Sequence, residues 1–358
     1  MTRARDVADR GVITTADLAN IPSGAKNLII NGDMQISQRG TSFSDPNGYT
    51  LDRWRYVKNG ISGVVAITQD TDTPSGQGFS KSLKVAVTTA DASIATSEFG
   101  LITYLIEGQH LQHLKYGTSS AETTTLSFWV KSNKTGTYCV AAQKIDTTRY
   151  DYVTEYTINS ADTWEKKTIT IAPDSNIRAS GGVIDNDNGL GLSLVFALVD
   201  ASNRQGTNNT WNSSFPATST SNQVNFLDST SNYINITGVQ LEIGENATPF
   251  EHRPYDMELA RCQRYYFTAQ SAFHSTDTTG ILINLQFPVT MRTTPSVSWS
   301  YGGVDWDIYH IPTAATPNYQ SLNGFFANVN GLKHGYKFGA GLTAASFYET
   351  IWECTAEL

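Results

Sequence analysis

From Lys26 onward the chain repeatedly alternates apolar and polar positions. "GVVAITQDT", "KSLKVAVTT", "TTTLSFWVKS", "YDYVTEYTI" and "WEKKTITIA" all carry a period of two, broken by short runs of Gly, Asn, Asp, Ser and Pro. A period of two is the mark of an antiparallel strand with one face buried, because successive side chains point to opposite sides. About ten such segments fall between 26 and 252, and that density of short strands and turns predicts two packed sheets, a jelly-roll sandwich. "NLIINGDMQI" reads as a strand interrupted by the turn pair Asn31-Gly32, and "LITYLIEGQHLQHLKYG" (101–117) as a helical crossover between the sheets. The stretch 201–222 is a long polar loop, and loops of such length are usually functional or disordered.

At 238–267 the pattern changes. "GVQLEIGENATPFEHRPYDMELARCQRYYF" begins as a strand, turns at proline and continues with a helical period. Asp256 can cap a helix starting at Met257, which puts Leu259, Cys262 and Tyr266 on one face. A helix of this length is marginal alone and needs cover. Beyond it, 269–358 reads as about six further strands in a smaller C-terminal β-domain. The expected organisation is therefore an arm (1–25), a jelly roll (26–252), a linker helix (253–268) and a C-terminal β-domain (269–358), all-β in class.

Composition narrows the function classes. Charged residues make up 16% of the 358, with a net charge of -8 and no basic stripe, which argues against a nucleic-acid partner. No apolar run reaches the roughly 18 residues that a membrane-spanning helix needs, so no membrane insertion is expected. The N-terminal 25 residues lack the apolar core of a signal peptide, so exposure outside a cell is expected through lysis or assembly into a particle. Cys139, Cys262 and Cys354 are odd in number and far apart, which suggests buried thiols and no disulfide framework.

Candidate chemistry is sparse. His110 and His113 stand three apart, without the spacing or the glutamate of a zinc-protease helix. "DNDNG" (185–189) opens like a calcium loop, but Phe196 stands where the bidentate glutamate belongs. No nucleophile elbow or phosphate-cradling loop appears, so the expectation is a non-enzyme with no metal and no cofactor. Aromatic rings rimmed by amides and carboxylates are the better candidate, since sugars have apolar faces. Trp54, Trp129 and Trp164 lie within strand patterns and read as core. Trp211, in the polar loop, and Trp299, Tyr301, Trp306 and Tyr309, in "SWSYGGVDWDIYH", are the candidate carbohydrate contacts.

Several segments together resemble a known family, the tail-fibre and minor structural proteins of tailed bacteriophages. "NLIINGDMQISQRGTSF" with "YTLDRWRY" is similar to that family's sandwich opening, and "IEGQHLQHLKYGTSSAETTTLSFWVKSNKTGTY" to its central block. "GVQLEIGENATPFEHRPYDMELARCQRYY" resembles its strand-to-helix hinge, and "FPVTMRTTPSVS" with the terminal "AEL" its C-terminal domain. The resemblance implies a virion protein with a carbohydrate-binding-module-like jelly roll, forming a homotrimer and recognising host surface glycans. It also implies that residues 1–25 dock on other virion proteins. Leu259, Cys262 and Tyr266 would then find their cover at the trimer interface. Two alternatives remain: a structural virion component without glycan binding, such as an adaptor or capsid decoration fibre, and a polysaccharide depolymerase.

Overall fold

The computed structural model describes residues 26–213, 216–274, 280–301, 304–305, 309–310, 319–338 and 347–358, and over 271–284, 299–326 and 332–350 at most their backbone. The 1–25 arm and Trp306 lie outside the described residues.

Thirteen strands form the sandwich: β1 (Ser42–Ser44), β2 (Gly48–Tyr49), β3 (Trp54–Asn59), β4 (Val64–Asp70), β5 (Ser82–Thr89), β6 (Phe99–Glu107), β7 (Thr124–Ser132), β8 (Gly136–Lys144), β9 (Tyr150–Ile158), β10 (Glu165–Ile171), β11 (Leu190–Asp200), β12 (Thr210–Asn212) and β13 (Tyr233–Ile243). One sheet runs β1-β4-β5-β13-β7-β10 and the other β12-β9-β8-β11-β6-β3-β2. The chain passes repeatedly from one sheet to the other, and the late strands β11 and β13 enter the middles of their sheets. This is the jelly-roll arrangement that the alternation predicts. The inner faces meet in one core, where Trp54 lies 5.0 Å from Tyr104 and Phe128 lies 5.1 Å edge-on to Phe196. Trp54 is fully buried, as expected.

Two local expectations change. The expected crossover helix at 101–117 is β6 followed by two single-turn 3-10 segments, Gly108–His110 and Gln112–Leu114. β6 is a continuous apolar run buried on both faces, and such a run cannot be told from a buried helix by period alone. The segment expected as an interrupted strand near Asn31 is a buried loop. Asn31 has φ 58°, and its carboxamide donates to the carbonyls of Ile36 (2.8 Å) and Asp52 (2.9 Å) and accepts from the Ile36 amide. Its backbone amide donates to the Glu258 carboxylate, and its carbonyl accepts from the Met34 amide (3.2 Å) and the Trp54 indole (3.0 Å), so neither group joins a ladder.

Among the described residues the two α-helical segments are α1 (Ser175–Arg178) and α2 (Tyr255–Gln263). α2 starts two residues earlier than Met257, with Pro254 before its first turn instead of an Asp256 cap. It ends before Tyr266, which opens the next strand. Cys262 is fully enclosed in the sandwich core, Leu259 is half-buried against that core, and Tyr266 is 3% exposed beneath the Arg39 guanidinium, 3.6 Å from its ring. Much of the face expected to await partner chains is therefore covered within one chain: Cys262 and Tyr266 are buried there, and Leu259 keeps part of its surface.

The C-terminal unit contains β14 (Tyr266–His274), β15 (Gly280–Gln286), β16 (Ser296–Tyr301), β17 (Val304–Asp305), β18 (Tyr309–His310), β19 (Tyr319–Asn328), β20 (Gly331–Phe338) and β21 (Phe347–Thr355). One sheet runs β14-β21-β16-β17, with β18 also on β21; the other runs β15-β20-β19. β14 begins at Tyr266, so this unit starts three residues before the expected boundary at 269.

After β21 the chain returns to the sandwich. The Ala356 amide donates to the Tyr265 carbonyl (2.7 Å), and the Glu357 carboxylate pairs with Arg53 and with Arg39 (3.2 Å). Arg292 donates to the carbonyls of Ala356, Glu357 and Asn188. Asn188, in the "DNDNG" turn, returns a bond to the Arg292 carbonyl (2.9 Å). That turn is thus part of the contact between the two units.

Arg53 and Glu357 are almost fully buried, so Glu357→Ala leaves an uncompensated guanidinium and is expected to cost about 3–5 kcal/mol. Glu122→Ala, which breaks the exposed pair with Lys115, is expected to cost less than about 1 kcal/mol. Urea unfolding of the two variants measures the difference; equal losses would show that the Glu357 contact does not hold the units together.

Candidate functional site

The site is built on the outer face of the six-stranded sheet. Along β7, Leu126, Phe128 and Val130 point inward and are fully buried, so Ser127, Trp129 and Lys131 point outward. Trp129 is half-buried. In register it stands between Lys166 of β10 and Thr237 of β13, which sets an indole in the middle of a polar row.

One step along β13 the ladder breaks in a bulge at Gly238, φ 61°. A Cβ at that position would stand 2.5 Å from the Phe79 ring, so only glycine lets Phe79 lie against the sheet. Phe79 forms one wall of a cleft. The other wall is the segment after β13, where Phe250 lies 5.0 Å and His252 5.1 Å from the Phe79 ring. Glu242 holds that segment by accepting from the Thr248 amide (2.9 Å) and hydroxyl (2.6 Å), and the Glu251 amide donates to Gln240 (2.8 Å).

The resulting cleft has a volume of about 400 Å³, with Trp129, Phe79 and Phe250 as apolar surface and Gln77, Lys166 and His252 as polar rim. The same sheet face continues past the cleft to Trp164, half-buried, whose indole N–H donates to Asp72 (2.9 Å). Lys131 pairs with Asp72 and lies 5.9 Å from the Trp164 ring. Partial burial pushes the Asp72 carboxyl up, but the bonds from Lys131 and Trp164 outweigh it and hold the group below the usual carboxylate range. The face therefore offers fixed rings beside fixed charges. Such a surface can stack on the C–H face of a sugar and bond its hydroxyl groups.

Of the expected contacts, only Trp211 has a described side chain. Trp211 is not an exposed loop residue: it lies in β12, is 3% exposed, and donates its indole N–H to the Ala172 carbonyl (3.0 Å) between Tyr152 and Tyr116. It is core, because the 201–222 segment folds back on the seven-stranded sheet and buries Thr218 and Ser219 completely. Trp299 and Tyr301 stand at alternate positions of β16, Tyr309 opens β18, and Trp306 lies outside the described residues. Trp129 and Trp164, expected as core, are half-buried on the outer face of the six-stranded sheet. The alternation in "LSFWVKS" carried that signal, since Leu126, Phe128 and Val130 claim the inner face.

His110 and His113 are exposed, on successive 3-10 turns. Among the described residues no three His, Cys, Asp or Glu side chains converge as a metal site. The three cysteines are buried free thiols, as expected.

No family model matches the chain, and no curated protein matches it. Several solved structures are similar to it. The enzymatically active domain of bacteriophage CBA120 tailspike protein 4 is 13% identical, with 61% of this chain and 22% of that chain covered and a TM-score of 0.32. This chain thus spans under a quarter of that relative. A CBM4 structure is 15% identical over 60% of this chain and 98% of its own, with a TM-score of 0.32. The family 11 carbohydrate-binding module of a cellulosomal cellulase of Clostridium thermocellum is 14% identical over 58% and 97%, with a TM-score of 0.28. At these scores none of the likenesses assigns a ligand or a partner to this chain.

Burial separates the two tryptophans. Trp211→Ala is expected to lower stability by about 3–5 kcal/mol, and Trp129→Ala by clearly less, because its ring is already part-solvated. Urea melts of both variants test this; a Trp129 loss as large as that of Trp211 would place Trp129 in the core.

Proposed function

We propose that this chain is a virion fibre or spike protein of a tailed bacteriophage that binds host surface glycan in the cleft over Trp129. The observation that carries the glycan reading is the half-buried Trp129 ring, held on a rigid strand and walled by Phe79 and Phe250 with an amide, an ammonium and an imidazole at its rim. The phage assignment is supported by the sequence resemblance over the opening, central block, hinge and terminal segments. In this reading the protein binds and does not cleave, and residues 1–25 attach it to the particle.

One aromatic stacking contact is worth about 0.5–1.5 kcal/mol beyond area burial, so Trp129→Ala is expected to weaken each site roughly two- to tenfold. Titration of host surface polysaccharide against wild type and variant, with folding checked by melting, measures it. Unchanged affinity in a folded Trp129→Ala protein would remove the cleft from the function. Release of reducing ends by the wild type would replace a binding role with a depolymerase.

The homotrimer is part of the same proposal, and it would raise weak single-site affinity by avidity. Cys262 and Tyr266 are covered within one chain, so the interface in this proposal draws mainly on other surfaces. Light scattering is expected to give three times the mass of one chain; a stable monomer at micromolar concentration would exclude it.

A further inference from the structure

The opposite face of the sandwich carries a second groove of about 330 Å³, on the outer side of the seven-stranded sheet. Its floor is apolar and made of β6 and β11, with Leu101 and Val195 beside the buried Cys139, Ala141 and Ala197 on the same sheet face. Its rim holds three arginines from separate parts of the chain, Arg55, Arg149 and Arg204, with Gln143 and Thr103 between them.

Two of the arginines are matched. Arg149 makes two bonds to the buried Asp151 carboxylate (2.9 and 3.0 Å), and Arg204 pairs with buried Asp200 (2.8 Å) and lies 4.1 Å over Phe99. Arg55 differs. Its Nε donates to Thr103 Oγ1 (2.7 Å), which fixes the plane of the guanidinium, but among the described residues no carboxylate lies within ion-pair distance of it. The groove therefore has an excess positive charge in a chain of net charge -8, with a planar donor fork held still at its edge.

We propose that this groove binds a saccharide bearing a carboxylate, such as a uronic acid unit, with the anion on Arg55 and the sugar ring over the Leu101 and Val195 floor. A planar fork matches a carboxylate by two parallel bonds, and the apolar floor suits a pyranose face more than a bare ion. The inference does not rest on the Trp129 cleft, which lies on the other sheet.

The test is calorimetric titration of the whole chain with oligogalacturonate, with a neutral oligogalactose of equal length and with inorganic phosphate. Wild type is expected to bind the uronate oligomer, more weakly as salt is raised, and to bind the other two at least tenfold more weakly. Arg55→Gln is expected to lose about tenfold or more for the uronate oligomer, Arg55→Lys to recover part of it, and Trp129→Ala to bind it as wild type does. Equal binding of the neutral oligomer or of phosphate would overturn the assignment, as would an Arg55→Gln protein that melts and binds like wild type. Loss in Trp129→Ala with full binding in Arg55→Gln would move the ligand to the other face.

Discussion

One buried guanidinium ties the molecule together. Arg53 is 1% exposed; it donates to the Leu105 carbonyl, pairs with Glu357 and lies 3.5 Å over the Tyr265 ring. Burial works against its charge, yet Glu357 and the nearby Tyr104, Tyr265 and Tyr49 outweigh it and hold the group above its usual range. An unpaired charge at that depth would be strongly destabilising. Arg53 gains its counter-charge only when the end of the C-terminal unit delivers Glu357, and its ring contact only when the turn after α2 delivers Tyr265. Sandwich, helix and second β-unit are thereby folded against one another.

The same join shapes the cleft over Trp129. Arg253 donates to the carbonyls of Asn27 (2.6 Å) and Ile29 (3.1 Å) and pairs with Glu251 and Glu258, which fastens the start of α2 to the opening loop. The segment 245–252, strung between β13 and that anchor, has little freedom, and it carries Phe250 and His252. The bulge at Gly238 serves both sides. It makes room for Phe79 on the outer face, and it lets the Val239 amide donate to the Gly32 carbonyl (2.9 Å) of the loop. A cleft assembled this way is fixed before any ligand arrives, which lowers the ordering cost of binding.

The two outer faces of the sandwich differ in kind. On the six-stranded sheet the surface is aromatic, and Lys131 and Asp72 are paired beside Trp164. On the seven-stranded sheet the 201–222 segment has closed over much of the face, leaving a shorter groove with arginines at its rim. A single jelly roll can thus present two chemically distinct surfaces, because each strand of a sheet shows every second side chain outward.

Much of the fold was legible from the alternation alone. Period-two segments, turn residues and the switch of period after Gly244 place the strands, the join and the second β-unit, because each reflects a local rule about which neighbours share a face. β6 was misread because a strand buried on both sides has no alternation to display. The burial of Trp129 and Trp211 was not legible, for a deeper reason. Alternation puts Trp129 on the face opposite Leu126, Phe128 and Val130, but does not say whether another segment will cover that face. Trp211 sits among polar residues and is core because Tyr116, Tyr152 and the Ala172 carbonyl close around it from remote parts of the chain. Trp129 sits in a strand pattern and stays open because Phe79 and Phe250 stand beside it and not over it. Likewise, the period that grouped Leu259 with Cys262 was sound, but only the folded chain could supply the sandwich core as their cover. The sequence by itself determined which residues share a face; the packing of distant segments decided which faces meet water.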